Sequence, residues 1–375
     1  MAARPTEKSI HSIRRAVASW YTAHKRDLPW RRTDDPYAIW IAEVMLQQTQ
    51  VGTVAPYYDR FLERFPTVTA LARARLDAVL KAWEGLGYYA RARHLHRAAR
   101  LIVEDHDGRI PDTFKALLEL PGIGLYTAAA IASIAFGRDE PVLDGNVVRV
   151  LCRLFLVEEN PWQPATKTRL RDLARALIPR GEAGRFNQAM MDLGATICTP
   201  RDPLCTRCPL ESHCLAHRRG RQGDLPVRRK RKLLPHRDIA MGLVWDRPRH
   251  LAGAKLLIAK RHEADLLGGL WEFPGGHREP GETLEAALKR ELKEELAIDV
   301  AVQEPFITVR HAFTHFRVTL HTFHCLHKGG EPRAIDCADW RWISLCELDQ
   351  FAFPTGDRKI IDALLKEDLE SDPSV

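Results

Sequence analysis

"LLELPGIGLYTAAAIA", residues 117–132, decides how this chain is read. One apolar helical run stops at Pro121, the chain turns through Pro-Gly-x-Gly, and a second helical run begins. Glycine lets a backbone approach a ligand closely. The second helix opens with free backbone N–H groups, which favour a phosphate. The stretch therefore reads as a helix–hairpin–helix over about 114–136, a clamp that holds a nucleic-acid backbone without reading its bases. Taken alone, such a turn fits an ordinary corner between two helices equally well.

Outward from the hairpin, residues 8–217 run helix after helix. "YAIWIAEVMLQQTQV", "LDAVLKAWEGLG", "ARARHLHRAARLIVED" and "GNVVRVLCRLFLV" carry helical apolar spacing, with Pro or Gly between many such runs. The character changes in "HRRGRQGDLPVRRKRKLLPHRD", residues 217–238, which is basic and poor in apolar residues. It reads as a linker over 218–237. Its "RRKRK" suits a solvated linker, with a nuclear signal or a phosphate-binding strap as alternatives. Beyond it, "IAMGLVW", "AKLLIAK", "FRVTLHTFHCL" and "DWRWISL" look like strands, and "TLEAALKRELKEEL" and "GDRKIIDALLKED" like helices. The expected fold class is multidomain: an all-α region over 1–217, the linker, then an α+β domain over 238–368.

A length of 375 residues suits two domains. The net charge of +7 and pI of about 9.0 fit a polyanionic partner without establishing one. No secretory signal is legible, and the longest apolar stretch, "AAAIASIAF", is about half a membrane span. The expectation is a cytoplasmic protein, or a nuclear one in a eukaryote, with no membrane partner. Thiols stay reduced there, which disfavours disulfides. Cys152, Cys325, Cys337 and Cys346 read as buried, inert thiols.

The other four cysteines crowd into "CTPRDPLCTRCPLESHC", residues 198–214, spaced C-x6-C-x2-C-x5-C. Only Cys205 and Cys208 form a short pair, so spacing leaves zinc and an iron–sulfur cluster both open. Two carboxyls stand out. Asp144 in "VLDGNVVRV" precedes a helical run, where an N-cap carboxylate is kept ionised. Glu43 is the only charged residue in "AIWIAEVMLQ"; burial there would raise its pKa and keep it protonated, whereas an exposed face would leave it ordinary.

Hairpin, Asp144 and four cysteines follow one another in the order seen in the endonuclease III superfamily of DNA glycosylases. "LPWR", "EVMLQQTQV", "GLGYYARARHLH", "LDGNVVRV", "FNQAMMDLGATIC" and "RHAFTHF" resemble more closely the adenine DNA glycosylases of the MutY type, over almost the whole chain. The resemblance implies base excision repair: removal of adenine mispaired with 8-oxoguanine or guanine in duplex DNA, by a monomer. It implies a 4Fe–4S cluster on Cys198, Cys205, Cys208 and Cys214. It makes Glu43 the general acid and Asp144 the second carboxylate, oriented by Asn146 and Tyr126. Lyase relatives carry a Schiff-base lysine where Tyr126 stands, and a phenol forms no imine, so a monofunctional enzyme is expected.

By the same resemblance Leu28, Trp30, Arg31, Val51 and Gln188 line the adenine pocket. Gln48 and Tyr88 wedge into the duplex, and Gly122 and Gly124 hold its backbone. Arg91, Arg93, His94, His96 and Arg97 would meet phosphates, unless they form a solvated helix face. Arg201 and Arg207 of the cysteine loop would touch DNA. Phe313, Thr314 and His315 would read the lesion, with Thr314 where the family has serine. "GHREPGETLEAALKRELKEELAI", residues 276–298, fits the Nudix box of a Nudix-like domain, except for Ala297 in place of glycine. Glu291, Glu294 and Glu295 are spaced to share one helix face and suit Mg²⁺. The alternative is a relic paired with Lys289, Arg290 and Lys293.

Overall fold

The computed structural model describes residues 6–227, 233–313 and 315–371. They form two compact units. One holds the described residues up to Ala72 and from Arg97 to Val227; the other holds Arg73–His96 and the described residues from Leu233 onward.

The first unit is helical. It contains α1 (Glu7–His24), α2 (Pro36–Met45), α3 (Val51–Arg64) and nearly all of α4 (Val68–Arg73). Side-chain caps start several helices: Thr6 accepts from the Ser9 N–H, and Asp35 accepts from the Tyr37 N–H just before Pro36. Helix α2 is apolar nearly all round and buried along its length, which makes it a core helix.

Helix α5 (Leu76–Trp83) and the first part of α6 (Ala90–Asp105) belong to the second unit. Sequence periodicity places both with the helical region. It reports a helix, and says nothing of what that helix packs against. The remaining helices of the first unit are α7 (Phe114–Leu118), α8 (Leu125–Ile134), α9 (Gly145–Leu154), α10 (Pro164–Leu177), α11 (Ala183–Thr196) and α12 (Leu215–Arg218).

Helices α1, α9, α10 and α11 share a core of Ile13, Val17, Leu151, Leu154, Leu170, Leu177, Phe186 and Leu193. Two glycines of α11 set its position. A Cβ on Gly184 would lie 2.5 Å from the Ser133 carbonyl oxygen on α8, and one on Gly194 would lie 2.6 Å from Asn146 Cβ on α9. The absence of side chains there lets α11 lie against the two helices that follow the hairpin and Asp144.

Part of the expected linker is not free. Leu225 is buried against Leu156 and Ala216, and its carbonyl accepts from Arg153 Nε at 2.9 Å. "RRKRK", 228–232, lies outside the described residues.

The second unit is a seven-stranded sheet: β1 (His236–Trp245), β2 (Leu256–Lys260), β3 (Trp271–Glu272), β4 (Gly275–His277), β5 (Asp299–Ala312), β6 (Arg317–Gly329) and β7 (Asp339–Ile343). Its main order is β3-β2-β1-β6-β5, with β4 on β1 and β7 on β2. Strands β1 and β6 run parallel, from His236 beside Arg317 to Trp245 beside Leu326, and the other pairs are antiparallel.

Helix α13 (Leu284–Leu296) buries Leu288, Leu292 and Leu296 on one face with Val244, Leu257 and Phe323. Helix α14 (Thr355–Ser371) buries Ile360, Ile361 and Leu364 on the other with Leu243, Trp245 and Ile258. The α5 segment is bonded into this unit. Lys81 Nζ donates to the Phe351 carbonyl at 2.9 Å, the Phe353 N–H donates to Glu84 Oε1 at 2.9 Å, and the Tyr89 hydroxyl donates to the Phe353 carbonyl at 3.1 Å. No described helix is long and apolar enough to cross a membrane.

Candidate active site

Glu43 sits on buried α2 and is itself 4% exposed. The Tyr126 hydroxyl, on the first turn of α8, donates to its Oε2 at 2.7 Å. Burial pushes the Glu43 carboxyl up to about 7. The negative charge of Asp144 adds to that push, while the Tyr126 hydrogen bond and the Arg31 charge oppose it. A carboxyl raised toward neutral pH keeps a protonated form that can act as a general acid.

Asp144 is the N-cap of α9. Its Oδ1 accepts from the Val147 N–H at 2.7 Å and its Oδ2 from Asn146 Nδ2 at 2.8 Å. These are the expected capping bonds. Burial nevertheless outweighs them and pushes the carboxyl upward. Asn146 is held in turn: its Oδ1 accepts from Arg149 Nη2 at 2.9 Å. Arg149 also donates to the Gly194 and Cys198 carbonyls, each at 2.6 Å.

Glu43, Asp144, Tyr126 and Asn146 border one cavity of about 150 Å³, together with Leu28, Trp30, Arg31, Val51 and Gln188. All nine expected residues meet there, drawn from across the helical region. The cavity is small beside the roughly 300–1,000 Å³ of a drug-sized site, so it suits a single small ring. Arg26, Ile39, Leu46, Thr49 and Met191 also line it. None stands out in the sequence, and most are apolar residues that periodicity assigns to a core.

A more open groove of about 650 Å³ runs past Gln48, Gly122, Gly124 and Asp144. Gln48 (φ 58°) and Gly122 (φ 77°) both adopt left-handed backbone there, a costly conformation for Gln48. Lys167, Arg171 and Arg175 line the same groove from α10. Sequence reading misses them, although spacing by fours puts them on one helix face.

In the second unit Tyr88 has φ 49° and is 45% exposed, with the Arg91 guanidinium 5.4 Å from its ring. The basic run that follows does not form one phosphate-facing row. Arg91 is buried and donates to the Leu86 and Gly87 carbonyls, Arg93 donates to the Gly268 carbonyl, and a His96 ring nitrogen meets the Ala74 carbonyl at 3.0 Å. Arg97, in the first unit, is exposed, as are Arg201 and Arg207.

Cys198, Cys205, Cys208 and Cys214 are free thiols. Cys198, Cys208 and Cys214 pack against the core of α1 and α9–α11. Buried Arg153 donates to Cys198 Sγ at 3.2 Å and to the Thr199 carbonyl at 2.7 Å. A four-thiol donor set beside a buried cation fits a thiolate-held cluster. Among the described residues no group of three or more His, Cys, Asp or Glu side chains closes around a single ion.

In the Nudix-like box the three glutamates do not converge. Arg290 donates to Glu291 at 3.0 Å, to Glu294 at 3.1 Å and to both oxygens of Glu282. Glu295 instead accepts from the Gly275 N–H, and burial pushes its carboxyl up to about 8. The loop between β5 and β6 stacks Phe313 on Phe316, with centroids 4.7 Å apart, and exposes His315. Thr314 lies outside the described residues.

Both regions of the chain match known families. Residues 41–191 match the family described as HhH-GPD superfamily base excision DNA repair protein, and residues 249–363 match the NUDIX domain. A solved thermostable thymine-DNA glycosylase aligns with TM-score 0.53 and 33% identity, over 56% of this chain and 98% of that one. A non-covalent endonuclease III–DNA complex aligns with TM-score 0.50 over 58% of this chain and 98% of that one; at 23% identity the likeness shows the fold alone.

Fold and site together define a DNA glycosylase of base excision repair. Adenine DNA glycosylase of Rattus norvegicus is 36% identical over 94% of this chain and 77% of its own length, and that of Homo sapiens is 37% identical over 94% and 73%. The chain belongs to the adenine DNA glycosylase family.

Proposed function

We propose that this glycosylase removes adenine paired with 8-oxoguanine or guanine in duplex DNA, by acid-assisted hydrolysis that leaves an abasic site. The observation that carries the reading is Glu43, buried and poised near neutral pH, bordering one small cavity with Asp144. Adenine leaves poorly as an anion. Glu43 donates its proton to a ring nitrogen, the bond from the sugar to N9 breaks, and its electron pair stays with the base. The sugar becomes oxocarbenium-like, as in glycoside hydrolysis, and the Asp144 carboxylate stabilises it. Water then adds at C1′, and its proton returns to Glu43. Asn146 fixes the Asp144 carboxylate, and Tyr126 fixes that of Glu43.

The base must first leave the stack, at a cost of about a few kcal/mol. The left-handed Gln48 and the exposed Tyr88 are the residues suited to filling the gap, and the hairpin glycines hold the backbone. Phe313, Thr314 and His315 read the partner base. Cys198, Cys205, Cys208 and Cys214 hold a 4Fe–4S cluster, which braces the loop that presents Arg201 and Arg207. The working form is a monomer on duplex DNA.

The test is single-turnover incubation with a duplex carrying adenine opposite 8-oxoguanine. The expected product is an intact strand that breaks only after alkali. Strand cleavage without alkali, with borohydride trapping of a covalent adduct, would replace this reading with a lyase.

A further inference from the structure

Asp192 lies behind the adenine cavity and is 0% exposed. It sits on α11 four residues after Gln188, so the two share a helix face. Its carboxylate accepts four hydrogen bonds. Arg31 reaches it with two, Nη1 to Oδ2 at 2.6 Å and Nη2 to Oδ1 at 2.8 Å. Arg26 gives its Nε to Oδ1 at 2.7 Å and its backbone N–H to Oδ2 at 3.2 Å, and its Nη2 forms an ion pair with Oδ1 at 2.6 Å. Both arginines line the cavity; Asp192 does not. Two buried or half-buried guanidinium groups thus share one carboxylate, leaving a net charge of +1.

We infer that Asp192 is a positioning residue of the glycosylase reaction: it fixes Arg31 and Arg26 at the adenine pocket and cancels one of their two charges. The inference rests on the acid role of Glu43. A base-binding pocket gains from guanidinium donors, because adenine offers ring-nitrogen acceptors. The same charges are costly to catalysis in two ways. A cation there, Arg31 above all, stabilises the Glu43 carboxylate and so leaves less of it protonated at working pH. The charges also repel the positive charge that develops on base and sugar in the transition state. One buried carboxylate reduces both penalties while leaving the donors in place.

The charged and titratable groups around Glu43 are Tyr126 from α8, Asp144 from α9 and Arg31 from the turn before α2. Around the arginine pair stand Asp192, Glu43 and Tyr21, with Arg185 beside Tyr21. Among these, Asp192 is the carboxylate that offsets the arginines without facing the cavity. The Tyr21 ring lies under the Arg31 guanidinium at 5.7 Å, and its hydroxyl donates to Gln188 Oε1 at 3.4 Å, so the same assembly steadies Gln188.

The test is the pH profile of single-turnover adenine excision by the full-length protein, with thermal melts at each pH. In the wild type the rate should fall as pH rises through about 7, as Glu43 loses its proton. Asp192→Asn leaves two uncompensated guanidinium charges, so the falling limb moves to lower pH. The expected loss is about sevenfold greater at pH 8 than at pH 5.5, for a limb displaced by about one unit. Arg26→Gln removes one cation and moves the limb to higher pH; this variant carries the test if Asp192→Asn fails to fold. The double variant restores the net charge and returns the limb toward its wild-type position.

A limb that stays in place in both single variants, or equal losses at every pH, would overturn the inference. So would a double variant that stays where Asp192→Asn lies. Failure of the underlying acid assignment looks different: the wild-type profile then has no falling limb, or Glu43→Gln remains active.

Discussion

Tyr126 donates its hydroxyl to Glu43, and this bond works against the burial that protonates the acid. A donor on a carboxylate stabilises the ionised form. Tyr126→Phe removes it, so the Glu43 pKa rises and the alkaline limb of the pH–rate profile moves to higher pH. The rate at pH 7 falls by less than about tenfold, since the carboxyl stays buried but loses its anchor. A limb displaced to lower pH would contradict the assigned bond.

Glu43 costs stability. Its folded pKa is about 7 against an ordinary 4.5, so the native state holds its proton more tightly than the unfolded chain. Stability then declines as pH rises from 4.5 through 7, and above that the full penalty remains, about 3 kcal/mol at roughly 1.36 kcal/mol per pH unit. Glu43→Gln should abolish base release, leave duplex binding largely intact, and melt higher than wild type at pH 8. The difference in melting should narrow toward pH 4.5. Excision near the wild-type rate would remove Glu43 from the chemistry.

The four thiols of 198–214 should hold about four irons per chain in anaerobically purified protein, with a yellow-brown colour. Removing the iron should make the loop sensitive to limited proteolysis. Stoichiometric zinc in a colourless preparation would show a different centre.

Lys167, Arg171 and Arg175 should contribute to DNA binding through phosphate. Replacing Lys167 and Arg171 by Gln should weaken matched and mismatched duplexes alike. It should also flatten the salt dependence, by about 0.9 in log–log slope for each phosphate no longer neutralised. A change confined to mismatched DNA would assign them to recognition of the mismatch instead.

The cavity was legible because its residues sit in motifs with unusual local chemistry: an acid inside an apolar helix, an aspartate capping the next one, a tyrosine after a glycine turn. Arg26 and Asp192 are not legible in that way, since their meaning comes from each other across 166 residues rather than from their neighbours. Asp192 interrupts the apolar "AMMDLGA" as Glu43 interrupts its own helix, which is the signal that could have found it. The basic run after Tyr88 misleads for the opposite reason. Charge in a sequence says nothing of direction, and Arg91 and Arg93 turn inward to carbonyl groups. In the Nudix-like box, helical spacing groups three glutamates that burial of Glu295 and the reach of Arg290 separate.

The membership of Arg73–His96 in the second unit fixes an order of synthesis. A ribosome makes this segment early, and its packing partners, such as Phe351 and Phe353, almost last. At about 5–20 residues per second the interval is some tens of seconds, during which apolar Val79, Leu80 and Trp83 have no finished core to enter. A message truncated after the cysteine loop would encode Glu43, Tyr126, Asp144 and Asn146 yet lack the backbone partners that Phe351 and Phe353 give to Lys81, Glu84 and Tyr89. Such a product should be more sensitive to limited proteolysis within Arg73–His96 than the full chain is.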